Sequence, residues 1–82
     1  MTIKADLIRF RFDDLVEYFE YLDDLRESGE TNMWGADAYI QAEYDLPHKD
    51  AGDITLAWMV TFSKDTEAAE RATTALAKAE AV

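Results

Sequence analysis

Residues Phe12 to Gly29, FDDLVEYFEYLDDLRESG, restrict the possible folds more than any other segment of the chain. Leu15, Tyr18, Phe19, Leu22 and Leu25 recur at steps of three and four, which gathers them on one side of a helix. Asp13 or Asp14 offers a cap for the first turn, Arg26 lies in the last turn and Gly29 provides a stop. Any fold must therefore bury the apolar side of an amphipathic helix of about five turns. The opposite side has its own order. Asp13, Glu17, Glu20, Asp24 and Glu27 follow one another at four, three, four and three, with Asp14 and Asp23 as flanks. At 1.5 Å of rise per residue they make a row roughly 21 Å long. Neighbours of like charge at this spacing repel by a few tenths of a kcal/mol per pair, so the row costs stability.

The charge is uneven along the chain. The formal total is −10, yet residues 1–12 carry +2, residues 13–53 carry −11 and residues 54–82 carry −1. A field of this sign repels phosphate backbones and attracts basic surfaces. General solubility is the competing explanation of the acidity. The 82 residues make one domain, near the size at which a single core only just offsets chain entropy, a strain that a homodimer would relieve. Without cysteine there is no disulfide framework and no thiolate chemistry, and the single His48 cannot assemble a zinc site. No apolar run approaches the roughly 20 residues that cross a bilayer, so neither a signal peptide nor a membrane span is expected and the chain reads as cytoplasmic.

Two readings compete for the rest. In LIRFRF, Ile8, Phe10 and Phe12 alternate with Arg9 and Arg11, which suggests that residues 1–12 are a short strand, a dimer-contact arm or a further helical turn. Between Thr31 and Phe62 the apolar residues fit a period of two, as a hairpin of residues 36–46 and 53–63, and also a helical period, as two helices. The first choice gives an α+β fold of order β-α-β-β-α; the second gives a mainly α fold, a small helical domain. Pro47 and Gly52 suit a loop, whereas the alanines at 36, 38, 42, 51 and 57 favour helix. Residues 64–82 are an alanine-rich helix with Asp65 and Thr66 as capping candidates; only Leu76 gives its face bulk, so it is expected to fray or to pack on a partner.

The sequence YLDDLRESGETNMWGADAYIQAEYDL, followed by KDAG and LAWMVTF, resembles a group of short phage-encoded proteins. Their shared core runs Tyr-Leu-Asp-x-Leu-Arg-x-Ser-Gly, Thr-Asn-Met-aromatic-Gly-Ala, Tyr-aliphatic-Gln and Trp-Met-x-Thr-Phe. The likeness spans residues 21–62, about half of the chain. It implies helices over residues 36–45 and 47–62 joined by a tight turn, a helix-turn-helix-like centre, and carries no assigned activity. The chain departs from that pattern at Pro47 and Gly52, which bears on whether the last of these helices is straight.

A helix-turn-helix that reads DNA gathers Lys and Arg about the start of its second helix. Here that start is PHKDAGD, preceded by Asp37, Glu43 and Asp45, so direct nucleic-acid binding is not the first expectation. A DNA-binding regulator remains the runner-up, because Lys4, Arg9, Arg11 and Lys49 would form a basic patch if the fold joined them. The first expectation is a phage-type accessory protein that binds a basic protein of the host cell through Asp13, Glu17, Glu20, Asp24 and Glu27. Carboxylates at this spacing can imitate a row of phosphates, and such a protein would inhibit a host nucleic-acid-handling or defence factor. A structural or assembly subunit is the third reading. Trp34 and Trp58 are expected in the core or at a dimer contact, with Leu15, Phe19, Leu22 and Phe62 completing the core; Thr31 and Asn32 are expected to cap the following helix, and His48 to be exposed. Asp45, Asp50 and Asp53 match no calcium-loop spacing, so no metal and no cofactor is expected. No nucleophile and base are paired and the acids are alike in setting, so no enzyme activity is expected either.

Overall fold

The computed structural model describes residues 2–82 and is built of helices. A 3-10 turn at Ala5–Arg9 leads into α1 (Phe12–Ser28); a second, Met33–Gly35, leads into α2 (Ala36–Tyr44), followed by α3 (His48–Thr61) and α4 (Ala68–Glu80). No strand is present among the described residues, so the β-α-β-β-α alternative and its hairpin of residues 36–46 and 53–63 are wrong. Helical spacing won because it collects Ala36 and Ile40 on one side of α2, and Ala51, Ile54, Ala57 and Trp58 on one side of α3, all of them buried. A strand over residues 53–63 would have turned Ala57 to the face opposite Ile54 and Trp58.

Leu15, Phe19, Leu22 and Leu25 of α1 are buried against these residues. Each such side chain contributes about 1.5–3 kcal/mol by leaving water. Gly29 ends α1 in the left-handed conformation, φ 74°, and its N–H donates to the Arg26 carbonyl at 3.3 Å. Arg11 occupies the N-cap position, so Asp13 and Asp14 lie in the first turn and serve its dipole without capping it. Asn32 does cap: its Oδ1 accepts the Gly35 N–H at 3.0 Å. The link from α2 to α3 is three residues long, with Asp45 left-handed at φ 52° and the Leu46 N–H bonded to the Gln41 carbonyl at 3.1 Å. Pro47 stands just ahead of α3, which runs unbroken through Gly52.

Both ends of the chain close on this centre. Of the readings open for the N-terminal arm, the structure has the helical turn and not the strand, because Ile3 and Leu7, four apart, are buried while Ile8 and Phe12 face solvent. It packs against α4. Helix α4 finds its packing within the chain. Ala68, Ala72, Ala75 and Ala79 form a smooth buried side that rests on α1, α3 and the arm. Glu67, rather than Asp65 or Thr66, precedes its first turn. The radius of gyration is 11.4 Å, close to the roughly 12 Å expected of a single packed unit of this length. Trp58 is in the core as expected, Phe62 is half-buried, and Trp34 is 74% exposed. No described helix is long and apolar enough to cross a membrane.

Candidate protein-docking face

Because Leu15, Phe19, Leu22 and Leu25 fix which side of α1 is buried, the opposite side is fixed as well. Asp13, Glu17, Glu20, Asp24 and Glu27 are all exposed along it. They form an outward ridge, with about 5–6 Å between successive Cβ atoms. Among the described residues, the one cation within 4 Å of any of the five carboxylates is Arg26, 3.7 Å from Glu27. Asp14 is exposed and also lacks an ion pair among those residues.

Asp23, the other flank, is used differently. The Arg71 guanidinium meets it in bidentate fashion, at 2.9 Å to Oδ1 and 2.6 Å to Oδ2, and the Trp58 indole N–H donates to Oδ1 at 2.9 Å. Arg71 is 5% exposed at its side chain and also donates to the Thr66 carbonyl at 3.3 Å. One carboxylate thus joins α1, α3 and α4. Beside it the Phe62 ring receives two guanidinium groups, with Arg26 at 4.5 Å and Arg71 at 5.4 Å from the centroid.

A second paired cluster locks the N-terminal turn onto the start of α3. Arg9 reaches Asp50 at 2.7 Å, Asp53 at 3.0 Å and Asp6 at 3.2 Å. Lys49 reaches Asp53 at 2.6 Å and Asp6 at 3.0 Å. The Lys49 ammonium bond holds the Asp6 carboxyl below its ordinary range, and Asp53 followed by Asp6 holds the Lys49 amine above its own. Arg9 and Lys49 do meet, as a basic patch would need, but they meet across carboxylates. Asp50 and Asp53 therefore face these cations, while Asp45 is exposed at the end of α2. Among the described residues no group of three or more His, Cys, Asp or Glu side chains is placed to hold a metal ion. His48 is exposed at the first position of α3. Of the eight Lys and Arg and eighteen Asp and Glu, three cations and four acids are spent in the two clusters. Five cations and fourteen acids are left for the remaining surface, and five of those acids stand in the ridge.

The flank of the ridge that faces α2 is aromatic. Phe10, Tyr18, Tyr44 and Tyr21 pack edge to face in sequence, with centroid distances of 6.4, 4.9 and 5.7 Å. Burial, and next the Glu17 carboxylate, push the Tyr44 phenol up to about 12. Beyond Tyr21 an open groove separates α1 from α2, lined by Tyr21, Glu30, Ala38, Tyr39, Ala42 and Glu43. The Tyr21 hydroxyl donates to the Tyr39 carbonyl at 3.3 Å and ties the two helices together there.

The ridge residues were legible from spacing. Asp23 and the groove were not read from it. The signal for Asp23 is that it breaks the four-three rhythm of the row toward Phe19, four residues before it; the signal for the groove is the pair Ala38 and Ala42, small residues four apart beside Tyr39. Compared with family models, curated proteins and solved structures, the chain gives no significant match.

Proposed function

We propose that this chain is a small accessory protein of phage type that acts by binding a basic protein of the host cell through the α1 ridge. The observation that carries the reading is a contrast in pairing: Asp23, Asp50 and Asp53 are held by the chain's own cations, while four of the five ridge carboxylates have no cation near them among the described residues. Internal demand does not account for the ridge. Its row of charges, about 5–6 Å apart, presents to a cationic groove what a strand of phosphates presents, so the natural target is a factor that handles nucleic acid, with inhibition as the consequence. Direct DNA binding has less support, since Arg9 and Lys49 are bridged by carboxylates and the first turn of α3 carries Asp50.

The test is affinity capture from host lysate by the native chain and by a chain carrying Asp13→Asn, Glu17→Gln, Glu20→Gln, Asp24→Asn and Glu27→Gln. The expected result is a partner held by the native chain alone, released by a high-salt wash and displaced by duplex DNA. Equal capture by both chains would remove the ridge from the mechanism, and salt-sensitive binding of the native chain to duplex DNA would favour the regulator.

A further inference from the structure

Of the surfaces on this molecule, the α1/α2 groove is the one whose shape and charge select an occupant. It is a shallow, open groove lined by Tyr21, Ala38, Tyr39 and Ala42 together with Glu30 and Glu43. Neither glutamate has an ion pair among the described residues, and no Lys or Arg lines the groove. Its volume of about 550 Å³ admits several side chains. Glu30 and Glu43 make the field there negative, and they add to burial, the larger cause, in raising the Tyr21 phenol above its ordinary value.

We propose that this groove takes an arginine-bearing segment of the basic partner, with guanidinium groups reaching Glu30 and Glu43 and apolar side chains laid on Tyr21 and Tyr39. Guanidinium suits the site because it pairs with carboxylate in a planar fork and also stacks on aromatic faces. A second copy of this chain is the poorer occupant. A symmetric contact there would bring Glu30 and Glu43 against their own equivalents on a chain of formal charge −10. The inference rests on the partner being basic, as proposed for the ridge, and places its specific contact between α1 and α2: the ridge attracts, and the groove reads side chains.

The probe is a fluorescein-labelled peptide in which arginine and leucine alternate, titrated by anisotropy and by the amide and side-chain NMR signals of the protein. Ala42 and Ala77 are both exposed, so Ala42→Arg fills the groove while Ala77→Arg makes the same charge change on α4. At physiological salt Ala42→Arg is expected to weaken the peptide at least tenfold and Ala77→Arg to leave it within twofold, with the largest shifts at Tyr21, Ala38, Tyr39 and Ala42. Tyr39→Ala is expected to weaken binding without altering net charge. The five-amide ridge chain should keep the groove shifts and lose affinity mainly at low salt. Equal weakening by Ala42→Arg and Ala77→Arg, or shifts confined to the ridge, would overturn the groove while leaving the ridge reading intact. Groove binding that is indifferent to the ridge amides in any salt would instead remove the ridge. Absence of any peptide binding, or self-association of the native chain abolished by Ala42→Arg, would overturn the groove assignment.

Discussion

Asp23 and Asp24 are neighbours in sequence, identical in chemistry and opposite in use. Asp23 leans toward α3 and α4, where Arg71 and the Trp58 indole hold it. Asp24 stands on the ridge with no cation near it among the described residues. A rotation of one residue about α1, roughly 100°, separates a carboxylate that holds the fold together from one left free to meet another molecule. The lesson is that acidity by itself says little about role. What matters is whether the chain supplies the countercharge.

The sharpest way to break this comparison is to remove each member in turn. Asp23→Ala leaves the buried Arg71 guanidinium and the Trp58 N–H without their acceptor, and should destabilise the protein by about 3 kcal/mol in urea unfolding. Asp24→Ala should change stability by no more than a few tenths of a kcal/mol, in the stabilising direction. Similar losses at both positions would erase the distinction between seam and ridge.

High pH should give the next largest effect. Tyr18, Tyr21 and Tyr44 are raised above 10.0, chiefly by burial, and Lys49 is raised above 10.5 by Asp53 and Asp6. A raised group binds its proton more tightly when folded, so its contribution is fully present below the unfolded value and disappears as pH rises through the folded one. The melting temperature should therefore hold to about pH 10 and fall steeply toward pH 12. Tyr44→Phe should make that fall shallower, and absorbance should show one tyrosine ionising near 12 in the folded protein. At the acid end the sign reverses: Asp6, lowered by Lys49, supports the fold above its unfolded value, and that support goes as pH drops through the lower folded value.

A polar atom inside the molecule with no partner sharpens the same rule from the other direction. The Thr55 hydroxyl is buried and makes no hydrogen bond. Thr55→Val keeps the shape and removes the unmet group, and should raise stability by ~1 kcal/mol in the same unfolding assay. Smallest in energy, the five ridge amides should together raise the melting temperature slightly at low salt, with the gain shrinking as salt rises; a loss instead would mean that the ridge carboxylates support the fold.

The parts of the fold legible in the sequence are those in which local spacing and burial agree. Helix α1 is the plainest, since Leu15, Phe19, Leu22 and Leu25 share one side and Gly29 stops it. Residues 36–62 were ambiguous because alternating and helical periods coincide there and propensity was evenly divided; the helical period is the one that buries Ala36, Ile40, Ala51, Ile54, Ala57 and Trp58 together. The N-terminal arm stayed open between strand, contact arm and helical turn because Ile8, Phe10 and Phe12 alternate, while the residues that anchor it are Ile3 and Leu7, whose burial depends on α4 lying alongside. Trp34 shows the limit from the other side: of the two places expected for it, core or dimer contact, its position on a short turn rules out the core. The ridge could be read directly because one helix contains all of it. The Asp23–Arg71 pair could not, because its two members lie 48 residues apart and meet through tertiary packing.

Carboxylate footprinting distinguishes ridge from seam most directly. Carbodiimide labelling followed by mass spectrometry would score every Asp and Glu in the protein alone and again in host extract. We expect Asp13, Glu17, Glu20, Asp24 and Glu27 to label readily in the isolated protein, Asp23 to resist, and the five ridge positions to become protected in extract. Labelling of Asp23 as fast as Asp24, or a ridge equally reactive with and without the extract, would contradict the account.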